Sequence, residues 1–164
     1  MSRRRHIAAL TVVTLAVAGA SATGAAAKTV KKAPAPKYKT IKSSYSVQLL
    51  PDPTIDVEAQ KQVGGGTCHA LDPKSIDTHA LSLPGKGTLH VVLDSPDPSG
   101  KGKTDWDLVI LDAAGHEVDE SSGETSHEET TDLNMKKGKA SIEVCNLIGE
   151  PTGNISWSFT YRIN

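Results

Sequence analysis

The chain has 164 residues, with 18 lysines and arginines against 19 acids. That near balance lacks the basic excess that phosphate neutralisation requires, so nucleic acid is not an expected partner. Aromatic residues make up 4% of the chain and there are two cysteines, which leaves room for one modest core and a single disulfide.

Residues 1–27 read as a signal peptide. Met1-Ser2-Arg3-Arg4-Arg5 is basic, Ile7 to Ala20 is apolar and free of charge, and Ala25-Ala26-Ala27 or Ala20-Ser21-Ala22 suits a cleavage site. The charge-free run is shorter than the ~20 residues a membrane-spanning helix needs. Ser2-Arg3-Arg4 loosely resembles a twin-arginine export signal, but His6-Ile7 fits general secretion better. Loss of Arg3, Arg4 and Arg5 leaves 15 basic residues against 19 acids, a net charge of −4. The expectation is a protein released outside the cell, with no stable membrane insertion, and monomeric.

Residues 28–46 read as a linker. They hold six lysines (28, 31, 32, 37, 39 and 42), an Ala-Pro-Ala-Pro unit and no acid. Such a composition predicts an extended spacer, with a basic tether for an anionic surface as the functional alternative. Residues 47–164 are then the folded domain.

Ser46–Leu50 and Thr54–Glu58 are short candidate strands separated by Pro51 and Pro53, and Val63–Thr67 is a flexible turn delivering Cys68. His79, Leu81 and Leu83 alternate, as do Leu89, Val91 and Leu93. The turn residues Pro84-Gly85-Lys86-Gly87 between them predict a hairpin, with His90 outward and His79 at the inner rim. Asp94–Lys103 is an irregular loop. Asp105–Leu111 carries apolar residues of both parities, Trp106, Leu108 and Ile110 against Val109 and Leu111, which marks a strand covered on both sides. Glu117 to Asp132 holds seven acids and no lysine or arginine, and reads as a weak strand around Val118 followed by a solvated loop. Ala140, Ile142 and Val144 alternate into Cys145. Ile155, Trp157, Phe159, Tyr161 and Ile163 occupy every second position and should anchor the core.

No sustained 3.6-residue period follows the leader. The fold class expected is therefore all-β, an antiparallel sandwich or jelly roll. In an exported chain the two cysteines, Cys68 and Cys145, predict one disulfide closing a loop of about 78 residues. Loop-closure entropy at that length is worth about 4–5 kcal/mol.

Several constellations carry possible chemistry. His127-Glu128-Glu129-Thr130-Thr131 begins like a zinc-protease motif, but Thr131 stands where the second histidine belongs. No Gly-x-Ser-x-Gly elbow occurs. Asp94, Asp97, Asp105, Asp107 and Asp112 fall in or beside predicted loops, and clustered carboxylates with loop carbonyls are what calcium needs, though their spacing matches no EF-hand loop. The turn preference of short acids is the competing explanation. The five histidines outside the leader (69, 79, 90, 116 and 127) fall in separate elements. Trp106, Trp157, Phe159 and Tyr161 could form a sugar platform, though their parity places them in the core. No catalytic residue, cofactor or metal ligand is expected.

From Ile76 onward the order of motifs resembles the bacterial pre-peptidase C-terminal domain, a β-sandwich module of exported proteins. Ile76–Val91 resembles its opening hairpin, in which an acidic residue precedes an alternating strand and a Gly-rich turn. Asp105–Gly115 is similar to its "D-L-x-L-x-D-x-x-G" core, Lys137–Val144 resembles its "G-x-Y-x-V-x-V" strand, and Ile155–Ile163 fits its closing strand. Ala140 stands where the family usually has an aromatic, and the two cysteines are not a family hallmark. The resemblance implies a non-catalytic accessory module contacting an extracellular polysaccharide or protein. The alternative is a small exported inhibitor or chaperone-like partner of a secreted peptidase, acting through loops such as Asp94–Lys103.

Overall fold

A computed structural model describes residues 33–53, 68, 71–100, 103–123 and 125–163. The signal peptide, the Thr54–Glu58 strand and the Val63–Thr67 turn lie outside the described residues.

Among the described residues nine strands form two antiparallel sheets packed face to face, so the all-β sandwich expected from the alternation is the fold observed. The strands are β1 (Lys37–Gln48), β2 (Ile76–Leu83), β3 (Gly87–Asp94), β4 (Asp105–Leu111), β5 (Glu117–Ser121), β6 (His127–Glu129), β7 (Leu133–Met135), β8 (Gly138–Ile148) and β9 (Thr152–Ile163). One sheet runs β1-β9-β3-β6, with β7 also on β3; the other runs β2-β8-β4-β5.

Packing follows side-chain parity. Leu81, Leu83, Leu89, Val91, Leu93, Trp106, Leu108, Ile110, Ile142, Val144, Ile155 and Phe159 interdigitate between the sheets. The closing strand β9 lies between β1 and β3, where Ile155 and Phe159 are fully enclosed and Trp157 and Tyr161 half-buried. All seven residues of β4 are buried. Trp106, Leu108 and Ile110 enter the main core, while Val109 and Leu111 join Cys68, Cys145 and Leu147 in a second apolar cluster on the outer side of that sheet. Cys68 and Cys145 are joined by a disulfide with Cα atoms 5.7 Å apart.

Two glycines permit close approaches. A Cβ on Gly153 would come within 2.6 Å of the Trp106 ring, and one on Gly87 within 2.3 Å of the Thr160 carbonyl oxygen.

Three expectations are corrected. First, β2 and β3 are not a hairpin: β2 pairs with β8, and β3 with β9, β6 and β7. Residues 84–86 carry the chain from one sheet to the other. Two strands facing each other across the core bury the same alternating residues as two strands side by side, so alternation does not distinguish the two arrangements. The rim and outward positions of His79 and His90 follow from parity and hold, with the His79 ring stacked on Tyr45 at 4.2 Å. Second, Lys37–Ser46 is not spacer. It is most of β1, in continuous register with β9 from Lys37↔Ile163 to Gln48↔Thr152. The expected Ser46–Leu50 strand is this strand's end. The strand is held by its ladder and by the inward residues Tyr45 and Val47. Third, the acidic stretch does not end in a solvated loop. Residues 127–129 form β6, and Glu128 is only 3% exposed. Its carboxylate accepts from Ser121 Oγ at 2.5 Å and from the Gly123 amide at 3.2 Å, with Thr125 Oγ1 2.9 Å away, which offsets the cost of burying it.

Candidate functional site

The outer face of the four-stranded sheet carries the second apolar cluster around the disulfide, on β4 and the second half of β8, while Thr78, Ala80 and Ser82 of β2 are exposed. The outer face of the five-stranded sheet is mostly polar, with Val92 and Tyr38 as its apolar members. Strand register sets its rows: Tyr38 beside Arg162; Thr40, Thr160, Thr88 and Asn134; Lys42, Ser158 and His90; Ser44, Ser156, Val92 and Glu129; Ser46, Asn154, Asp94 and His127. Because every second residue of a strand points outward, one parity of β9 (Asn154, Ser156, Ser158, Thr160, Arg162) supplies the centre of this face while the other fills the core.

Hydrogen bonds order the ladder. Thr40 and Thr160 hydroxyls lie 2.8 Å apart, Ser46 Oγ donates to Asn154 Oδ1 at 2.7 Å, and Gln48 Nε2 donates to Thr152 Oγ1 at 2.8 Å. Between β1 and β3 lies a shallow, open depression of about 580 Å³ lined by Lys42, Ser44, His90, Val92, Ser156 and Ser158.

Along one side runs a chain of alternating carboxylates and imidazoles. His127 Nδ1 is 2.6 Å from Asp94 Oδ1, and its Nε2 is 3.7 Å from Glu129 Oε2. His90 Nε2 is 3.1 Å from the other oxygen of Glu129, and His90 Nδ1 is 3.6 Å from Asp132. The hydrogen bond to Asp94 holds the His127 pKa above the ordinary imidazole value, with slight burial opposing it. This chain bridges β3 to the interrupted edge formed by β6 and β7. At the interruption, Thr130 replaces ladder pairing: its amide donates to the Val91 carbonyl at 3.0 Å, and its Oγ1 accepts from the Val91 amide at 3.0 Å.

The residues singled out from sequence are dispersed. Asp94 serves His127, and Asp97 accepts from Ser99 within its own turn. Asp112 closes the turn after β4 by accepting from the Ala114 and His116 amides, which lowers its pKa. Asp105 and Asp107 lie on the covered face of β4. Burial, reinforced by Asp105, Glu120 and Glu128, pushes the Asp107 carboxyl up to about 8. Among the described residues no group of three or more His, Cys, Asp or Glu is placed to hold a metal ion. His79 and His116 stand apart from the His90–His127 chain, and His69 lies outside the described residues. Glu128 of the zinc-like motif points between the sheets while His127 and Glu129 point outward, so that run is strand with alternating parity and not a helical metal site. Trp157, Phe159 and Tyr161 pack against the core, Trp157 also adjoining the depression, and they form no continuous platform; Tyr38, 63% exposed, is the most exposed aromatic among the described residues.

The polar face and its histidine chain escape a reading of single segments, because they are built from strands far apart in sequence. Serine, threonine and asparagine at alternate positions of the last strand were the available signal. No family model matches the chain, and no curated protein matches it.

Proposed function

We propose that this protein is an exported, non-catalytic β-sandwich module that engages an extracellular polysaccharide or protein through the outer face of its five-stranded sheet. The observation that carries this reading is the ordered ladder of hydroxyl, amide and ionic groups around the depression at His90 and Ser158. Such a face offers paired donors and acceptors on rigid strands, the arrangement that polyhydroxyl or peptide surfaces need for recognition at low ordering cost. The order of strand motifs after residue 76 supports likeness to the pre-peptidase C-terminal domain, the basic and apolar leader supports export, and the disulfide is compatible with an oxidising compartment.

The test is retention of the chain on insoluble polysaccharides and on immobilised secreted proteins, peptidases included, with wild type beside Ser158→Arg and His90→Ala. The expected result is retention on one ligand class and at least about a tenfold loss in both variants. Equal retention of variants and wild type would sink the reading. Retention on a peptidase, lost only when the Asp94–Lys103 loop is altered, would favour the inhibitor or chaperone-like alternative.

A further inference from the structure

The terminal strands of the two sheets are not alike. Among the described residues, β6 and β7 are three residues each and broken at Thr130, β5 is five residues with a bulge against Ile110 and Leu111, and β2 is eight residues. Strand β1 is twelve residues, pairs with β9 on one side without a bulge, and is exposed over its first four positions. A terminal strand leaves alternate amides and carbonyls on its free side unpaired, and such an edge templates the addition of another strand.

Charge decides which strand it admits. Strands β1 and β9 together carry Lys37, Lys39, Lys42 and Arg162 and no acid. Every ion pair among the described residues uses a histidine, so these lysines have no acidic partner there. Lysine on an edge repels a second copy of the same edge but attracts a strand of opposite sign.

We propose that the free edge of β1 is a docking site for an extended acidic segment of a partner protein, added as an antiparallel strand. The register follows from the residues. Opposite Lys42, Ile41, Thr40, Lys39, Tyr38 and Lys37 in turn, the ligand reads acidic, apolar, polar, acidic, apolar, acidic. Directly opposed residues share a face, so this order sets each carboxylate against a lysine and an apolar side chain against Ile41 and the exposed Tyr38. The site is the rim of the sheet, not its outer face, so it stands whether or not that face binds a ligand.

The test uses the full exported chain and a labelled peptide, Thr-Glu-Val-Thr-Glu-Val-Glu-Thr, beside a peptide of the same composition in scrambled order. Fluorescence anisotropy is read at low and high salt, and amide exchange is read over residues 37–48. The expected result is saturable binding that weakens with salt, new protection confined to β1, and at least about tenfold weaker binding of the scrambled peptide. K37E/K39E/K42E should lose binding by a similar factor, whereas K136E/K137E should retain it. Lys39→Gln gives a milder variant with the same direction of effect should charge reversal disturb folding. Equal binding of the scrambled peptide reduces the interaction to bulk charge and overturns the proposal. Protection elsewhere, or no binding at millimolar peptide, also overturns it. So does self-association that protects β1 in the absence of peptide, since the edge would then belong to a second copy.

Discussion

Asp107 makes stability depend on pH in an unusual direction. Its side chain is 1% exposed and its Oδ2 has no hydrogen-bond partner. Burial, with Asp105, Glu120 and Glu128 nearby, raises its pKa from 3.8 to about 8. The unfolded chain therefore releases this proton from near pH 4, while the folded chain keeps it until near pH 8. The group's contribution is most favourable below pH 4, declines as pH rises through that window, and is flat above it. Each pH unit in the window is worth about 1.4 kcal/mol, so the full decline is about 6 kcal/mol. Asp107→Asn removes the titration and leaves a buried amide whose cost does not vary with pH. Denaturant unfolding with the disulfide intact, at steps from pH 4.5 to pH 8.5, should show the variant gaining on wild type by several kcal/mol across the range. Parallel curves for the two proteins would refute the reasoning, because a constant offset reports packing and not ionisation.

Other perturbations have set directions. Gly153→Ala forces a Cβ to within 2.6 Å of Trp106 and should cost about 1–3 kcal/mol, with a shifted tryptophan emission to mark the displaced ring. Phe159→Ala, at the centre of the core, should cost about 3–5 kcal/mol in denaturant unfolding. Thr130→Val leaves the Val91 amide without its acceptor and should cost about 1–3 kcal/mol, with faster exchange at Val91 than at Leu89. His127 has a raised pKa, so its pairing with Asp94 and Glu129 is fully present below the ordinary imidazole pKa and is lost as pH rises through the folded value. Exchange at β6 amides should therefore quicken, beyond the intrinsic rate change, as pH climbs from 6 to 8, and His127→Gln should abolish that extra rise.

The two-layer architecture was legible because period-two patterning reports which face of a strand is buried. It held for β3, β4 and β8, and for β9 from Ile155 to Tyr161, with Ile163 exposed at the strand's end. Patterning is silent about neighbours, which is why residues 76–83 and 87–94 read as a hairpin when they face each other across the core. The first strand was hidden for a different reason. Ile41, Tyr45, Val47 and Leu49 share one parity, but lysines between them dominate the local composition, and most of the strand's pairing is backbone to backbone with β9, more than a hundred residues away in sequence. The candidate face needed strand order as well as parity: His90, Glu129 and His127 meet only because β6 lies beside β3. Glu128 shows the same limit, since the Ser121 hydroxyl and the Gly123 amide, with the Thr125 hydroxyl shared between Glu128 and the His127 carbonyl, made burial of an acid tolerable where composition pointed to solvent.

The covered side of the four-stranded sheet sets two opposed terms next to each other. Asp107 lies directly across the strand pair from Cys145, the half of the disulfide that sits in β8. The bridge spans 77 residues and contributes about 4–5 kcal/mol by loop closure, close to what ionisation of Asp107 removes. Reduction at pH 5 should leave a folded if weakened protein, because Asp107 is then still protonated. Reduction at pH 8.5 removes both supports, and the chain should unfold or lose most of its cooperative transition. Sites in direct contact need not add, so the informative measurement is the four-way comparison of Asp107 and Asp107→Asn, oxidised and reduced, at the two pH values. If the gain from Asp107→Asn at pH 8.5 is larger in the reduced chain than in the oxidised one, the disulfide restrains the site around the buried carboxylate and the two terms are coupled. If the gain is the same in both, the terms are independent and the disulfide acts on the unfolded chain alone.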